Sequence, residues 1–184
     1  CEGQQYDVDF EERDDVTIEE YLKMIEYKTA VLVGAALKMG AIVSDVSQSI
    51  QSEIYEFGRL LGIAFQIQDD YLDTFGEQAV FGKQIGGDII ENKKTYLYLR
   101  ALELADQSSA EQLKHLYTIS PENPSSKIET AKQIFEDSGA GKATTAKIKD
   151  FTEMAFERLE DIDVSQKGKD FLIQFGTNLM NRKM

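Results

Sequence analysis

Residues 60–73 read Leu60-Leu61-Gly62-Ile63-Ala64-Phe65-Gln66-Ile67-Gln68-Asp69-Asp70-Tyr71-Leu72-Asp73. The stretch has no proline, and its apolar residues follow a helical rather than an alternating period. On a helix Gln66, Asp69, Asp70 and Asp73 fall at i, i+3, i+4 and i+7, one polar stripe on an otherwise apolar cylinder. Such a cylinder is mostly buried, and buried carboxylates need partners. Three aspartates so close repel one another, and aspartate is a mediocre residue for a helix interior. A divalent cation resolves the conflict, because Mg2+ prefers hard oxygen ligands, retains waters and takes phosphate oxygens from a substrate. A solvated acidic face is the blander reading of three aspartates in an acidic chain. The apolar flanks argue against it.

The helical period continues on both sides. Residues 47–75 read as one long helix carrying Ile50, Ile54, Phe57, Leu60, Leu61, Ala64 and Phe65. Residues 17–44 read as another, opened by a capping box from Thr17 to Glu20, with Ile18, Tyr21, Leu22, Ile25, Leu32 and Met39 mostly on one face. After a glycine-rich turn at 82–87 a helix is expected at about 92–105. Shorter helices follow. Ser109 with Gln112 and Ser126 with Glu129 resemble capping boxes, Gly139 and Gly141 punctuate the chain, and amphipathic runs cover 144–159 and 165–180. The first sixteen residues form a polar, acidic lead-in without a clear period. Pro121 and Pro124 are the only prolines, so long stretches lack the strongest helix breaker. The expected fold class is all-α, with residues 1–184 forming one domain portion without internal repeats or linkers.

Composition narrows the partners. Lys and Arg number 20 against 33 Asp and Glu, a net charge of −13 that repels nucleic acid phosphates. Phosphates must therefore be handled through metal ions and a few placed lysines. The single cysteine, Cys1, forms no intrachain disulfide, which fits a reducing compartment. The longest apolar run, residues 30–37, is far short of the roughly 20 residues that span a bilayer. A cytoplasmic location without stable membrane insertion is expected, and the first residues carry no visible signal peptide.

Candidate cations lie on both sides of the aspartates. Lys28-Thr29 sits in the apolar setting of residues 27–34, where a lysine either snorkels or faces an anion. Lys83 lies in the glycine-rich turn, and Lys93-Lys94-Thr95 opens the next helix. Glycines let the backbone approach a phosphate, and lysine supplies a point charge. With the aspartate stripe these elements describe a site for a diphosphate bridged by Mg2+. His115, the only histidine, reads as a surface residue, and Glu153, Glu157, Glu160 and Asp161 as a solvated helical face.

The segments Gly3-Gln4-x-x-Asp7, Lys28-Thr29, Phe65-Gln66-x-x-Asp69-Asp70-x-x-Asp73, Gly82-Lys83 and Gly87-Asp88-Ile89 with Lys93-Lys94-Thr95 occur in order and with suitable gaps. This pattern resembles the trans-isoprenyl diphosphate synthases, the farnesyl, geranylgeranyl and longer polyprenyl diphosphate synthases. The resemblance covers about the first hundred residues; the rest resembles the family only in helical character. It implies an antiparallel helical bundle of the isoprenoid synthase type and a Mg2+ cofactor. The implied substrates are isopentenyl diphosphate and an allylic diphosphate (dimethylallyl, geranyl or longer). The allylic diphosphate ionises with Mg2+ assistance, the cation alkylates isopentenyl diphosphate, and a proton is lost. Residue by residue, the resemblance implies Asp69 as metal ligand, with Asp70 and Asp73 completing the set and Asp7 approaching it. Lys28 and Lys83 contact the allylic diphosphate with Lys93 near it, and Thr29 and Gln66 line the reacting centre. A homodimer is implied as well.

The sequence also departs from that family. A first Asp-rich motif and an upstream basic stretch are missing, and residues 9–15 lack the spacing and apolar context to replace the motif. The 184 residues are therefore expected to be the C-terminal portion of such an enzyme, the bundle incomplete at its N-terminal half, and inactive alone. Arg182-Lys183 either reaches a diphosphate, as basic tails do in some relatives, or frays. Two alternatives stay open: a terpene cyclase or squalene-type synthase, and a non-catalytic helical regulatory subunit of a heteromeric prenyl synthase. Gly82-Lys83 and Lys93-Lys94-Thr95 favour chain elongation over cyclisation, and the intact aspartate motif disfavours the subunit. A carboxylate-bridged di-iron bundle lacks its Glu-x-x-His pairs.

Overall fold

Thr17 starts its helix as the spacing predicts. Its hydroxyl accepts from the Glu20 N–H at 3.2 Å, and the Glu20 carboxylate accepts from the Thr17 N–H at 2.9 Å. Thr17→Ala removes half of that box and is expected to cost about 1 kcal/mol, lowering the thermal midpoint by about 2–4 °C. A calorimetric scan against wild type checks it.

The computed structural model describes residues 1–76 and 85–181, and no strand occurs among them. The elements are α1 (Glu2–Glu11), α2 (Ile18–Ile25), a π turn (Glu26–Ala30), α3 (Val31–Val43), α4 (Gln48–Phe75), α5 (Gly87–Ile90), α6 (Tyr96–Leu104), α7 (Gln107–Leu116), α8 (Ser125–Asp137), α9 (Ala140–Glu157) and α10 (Gln166–Met180). The fold is the all-α bundle expected. None of the described helices is long and apolar enough to cross a membrane.

The bundle is organised around α4, which packs along α3 on one side and α9 on the other. A Cβ on Gly58 would sit 2.9 Å from the Gly34 Cα, and one on Gly62 would sit 2.7 Å from the Ala30 Cα. Two such pairings with opposed numbering make α3 and α4 antiparallel, and the missing side chains let their backbones nearly touch. On the other side Phe57 meets Phe156 at 6.2 Å between ring centroids, while Gly141 faces Phe75. That pairing makes α9 antiparallel to α4 too. One core gathers Tyr21, Ile25, Ile67, Leu97, Leu113 and Phe135; a second gathers Phe57, Leu60, Leu61, Ala155 and Leu159.

Several boundaries differ from the expectation. The lead-in is largely helical: α1 buries only Gly3 and Phe10, so its sequence shows little period, and tertiary contact holds it. The helix expected over 17–44 carries a π turn at Glu26–Ala30, against which the Gly3 backbone rests. π turns are rare and recur at functional sites. The helix expected from about residue 92 begins at Tyr96, capped by the Thr95 hydroxyl, because Asn92 takes a left-handed φ of 59° and breaks the chain direction. Neither later capping box forms. Asp106, with its shorter carboxylate, accepts from the Ser108 and Ser109 N–H groups instead, and α8 starts directly after Pro124 without a side-chain cap. The run expected at 144–159 starts earlier, at Ala140, leaving Gly141 inside the helix and Gly139 (φ 79°) before it. The run expected at 165–180 forms α10, which the Ser165 hydroxyl caps. His115, Glu153, Glu157, Glu160 and Asp161 are exposed, as their polar surroundings require.

Candidate active site

The aspartate stripe of α4 faces a cavity of about 300 Å3. Gln66, Asp69, Asp70 and Asp73 form one wall. Tyr21, Met24, Ile25 and Lys28 face them from α2 and the π turn, with Asp7 and Phe10 from α1. Asp88, Glu91, Lys93 and Lys94 close the rim from the segment around α5. Side chains far apart in sequence converge because α4 supplies a rigid row and Tyr21 and Lys28, seven residues apart, share one helical face.

A hydrogen-bonded chain fixes the wall. The Thr29 hydroxyl donates to Gln66 Oε1 at 2.8 Å, Gln66 Nε2 donates to Asp70 Oδ1 at 2.9 Å, and the Tyr21 hydroxyl donates to Asp70 Oδ2 at 2.7 Å. Asp73 Oδ2 accepts from the Asp88 N–H at 2.9 Å, and a Cβ on Gly87 would stand 3.1 Å from Asp73 Oδ1, so the backbone comes close there. The cations are paired. Lys28 meets Asp7 at 2.6 Å, and Lys93 meets Asp88 at 3.0 Å and Glu91 at 2.8 Å.

The walls carry six carboxylates and three ammonium groups, so the cavity is short of positive charge. The consequence is visible in the acids. Burial, and then the charge of Asp88, pushes Asp70 up to about 7 against the pull of Tyr21 and Gln66. Asp73 rises to about 6 for the same two reasons. Asp88 is raised by burial although Lys93 opposes it, and burial lowers Lys93 while Glu91 and Asp88 hold it above its ordinary value. Burial also lifts the Tyr21 hydroxyl, keeping it a donor.

Carboxylates held this far from ionisation fit a divalent cation, which would supply the missing charge. No three acids among the described residues are already gathered as a ligand cluster. Mg2+ takes one or two carboxylates and completes its shell with water and phosphate oxygens, and the α4 aspartates are donors of that kind. In chelator the signs are fixed. Both raised values exceed the ordinary 3.8, so between roughly pH 4 and 7 the folded chain keeps protons that the unfolded chain has released, and stability falls as pH rises. The chelated chain should melt higher at pH 5 than at pH 7, and Asp70→Asn should narrow the difference; an unaltered difference in thermal unfolding would contradict the assignment to Asp70.

The structure thus brings together Lys28, Gln66, Asp69, Asp70, Asp73 and Lys93 from the sequence prediction, with Asp7 beside Lys28. Thr29 joins through Gln66 rather than from the wall. Lys83 and the pair Arg182-Lys183 lie outside the described residues. Sequence reasoning missed Tyr21 as a polar partner and Asp88 and Glu91 as the opposing acids. The shared face of Tyr21 with Lys28 was the available signal for the first.

Fold and cavity together define a helical-bundle protein with an acidic, lysine-flanked site suited to a metal-bridged anion. A model of the polyprenyl synthetase family matches residues 1–152, and the chain belongs to that family. A short chain isoprenyl diphosphate synthase of Methanothermobacter thermautotrophicus is 42% identical over 165 residues, 90% of this chain and 50% of the relative. The crystal structure of a geranylgeranyl pyrophosphate synthase has a TM-score of 0.91 and 48% identity, covering 100% of this chain and 57% of its own. That of a geranylgeranyl pyrophosphate synthase from Corynebacterium glutamicum, complexed with isoprenyl diphosphate and magnesium, has a TM-score of 0.90 and 26% identity, covering 99% and 52%. The chain spans about half the length of these relatives.

Proposed function

We propose that this cavity binds the diphosphate of an allylic prenyl substrate and assists its ionisation, the first step of head-to-tail transfer to isopentenyl diphosphate. The carrying observation is the convergence of the α4 aspartates with Lys28 and Lys93 on one cavity. Asp69 and Asp73 would hold Mg2+, and Asp70, whose two oxygens accept from Tyr21 and Gln66, completes the acidic set. When bound, the metal supplies positive charge against the departing diphosphate. Lys28 leaves Asp7 for the incoming phosphate oxygens, while Lys93 secures the far rim; Lys83 is assigned to the same diphosphate by the family pattern alone. Gln66 presents its amide at the cavity wall beside the reacting carbon, where it steadies the cation and the proton transfer, and Thr29 fixes its oxygen through the 2.8 Å hydrogen bond. Beyond Lys28, exposed Leu32, Met39 and Val43 continue an apolar stripe along α3 on which a prenyl tail can lie. The polar cavity and the family pattern support a pair of diphosphate substrates, with a homodimer as the assembly that pattern implies.

Equilibrium dialysis of labelled geranyl diphosphate tests the reading. Binding should require Mg2+ and be displaced by inorganic pyrophosphate. Retention that survives chelation, or no retention at all, contradicts it.

A further inference from the structure

Helix α8 puts no side chain on the cavity wall, yet two consecutive residues in its first turns hold the segment that forms the rim. At one end of the segment, Gly86 has a left-handed φ of 78°, and a Cβ there would meet the Ile128 side chain at 2.9 Å. Only a bare backbone seats against that side chain. At the other end, Lys127 Nζ donates to Asn92 Oδ1 at 2.6 Å, to the Ile119 carbonyl at 2.9 Å and to the Ile90 carbonyl at 3.4 Å. Ile90 ends α5, and Asn92 is the left-handed residue that turns the chain. Lys94 holds the same turn from its other face, donating to the Asn92 carbonyl at 3.2 Å.

Between these anchors the chain carries Asp88 and Glu91 into the cavity, and Lys93 follows directly after Asn92. Lys127 is only 3% exposed and has no carboxylate partner among the described residues. Its desolvation is offset by three oxygens and the face of Tyr117, 5.7 Å away, and two of the three oxygens belong to the rim segment. Burial, and then repulsion from Lys94, lowers its ammonium, as expected where no anion compensates.

We propose that Lys127 is a positioning residue of the site: through Asn92 and the end of α5 it sets where Asp88 and Lys93 stand. The ligand arm of the test rests on the proposed diphosphate function; the structural arm does not. Lys127→Met and Asn92→Gly remove the two sides of the contact, glycine being at ease with the φ of Asn92. Without ligand, amide hydrogen exchange in residues 87–95 should quicken about tenfold in either variant while residues 57–72 of α4 stay unchanged. With Mg2+, pyrophosphate affinity should fall about tenfold in Lys127→Met and by no more than that in Asn92→Gly, which removes one of its three acceptors, and the double variant should be no worse than Lys127→Met. Lys132→Met, on the same helix over the Phe75 ring, should match wild type.

Unchanged exchange at 87–95 overturns the inference whatever the ligand does. So do faster exchange with wild-type affinity, and additive losses in the double variant. If Lys127→Met does not fold, Asn92→Gly carries both arms. A wild-type chain that binds no pyrophosphate sinks the diphosphate reading instead, while ligand-free exchange still decides whether Lys127 holds the rim.

Discussion

Asp69→Asn is expected to weaken Mg2+-dependent pyrophosphate binding by about a hundredfold while leaving the fold intact. The amide has the size of the carboxylate and keeps one oxygen, so packing on the half-buried α4 face changes little. What it lacks is the charge that draws a divalent cation. The side-chain volume is unchanged and the position is only half-buried, so in chelator the melting point should change far less than the affinity does. Affinity and stability thus move independently, which separates a metal-binding role from a structural one. Calorimetric titration with pyrophosphate, paired with thermal unfolding in chelator, reads both. Undiminished affinity would remove Asp69 from the metal site.

Gly62→Leu should produce the largest loss of stability. A Cβ at Gly62 would lie 2.7 Å from the Ala30 Cα and 3.2 Å from its Cβ, and the first contact is backbone that cannot rotate away. Leucine adds three further carbons to that collision, so α4 and the π turn must separate. Overpacking usually costs about 1–3 kcal/mol, and a leucine against backbone belongs at the upper end. About 3 kcal/mol lowers the midpoint of a chain this size by roughly 6–12 °C, well beyond the ~1 kcal/mol that leaving glycine returns to a helix. The separation also stretches the Thr29–Gln66 hydrogen bond of 2.8 Å, so the site loosens with the fold. Gly40, on the exposed side of α3, has no atom within 4 Å of a Cβ, and Gly40→Ala should instead raise the midpoint slightly. The opposed signs, measured in one set of melting curves, test whether close backbone approach or helix propensity governs these glycines.

What could be read in advance follows from how far each signal reaches along the chain. The α4 helix announces itself through its own period, and the aspartate stripe through spacing within two turns, so both were legible. Thr17 was legible because its capping box joins it to a residue three positions away. The docking of α1 was not, since only Gly3 and Phe10 are buried and the contact with the π turn lies some 25 residues on, a separation that no local pattern records. The π turn leaves no mark in composition. Glu91 and the part Asp88 plays were not legible, although Gly87-Asp88-Ile89 stands out as a motif, because the turn that carries them, held against Ile128 and Lys127 of α8, is decided by tertiary contact. Tyr21 looked like one more apolar-face residue, and only the crossing of α2 with α4 gives its hydroxyl to Asp70.

The most direct measurement is a titration of inorganic pyrophosphate into the wild-type chain, followed by calorimetry once with excess Mg2+ and once with chelator. Saturable binding with Mg2+ and none in chelator is the predicted pair of results. Pyrophosphate that binds equally in both, or in neither, would mean that the α4 aspartates do not grip a diphosphate through a metal.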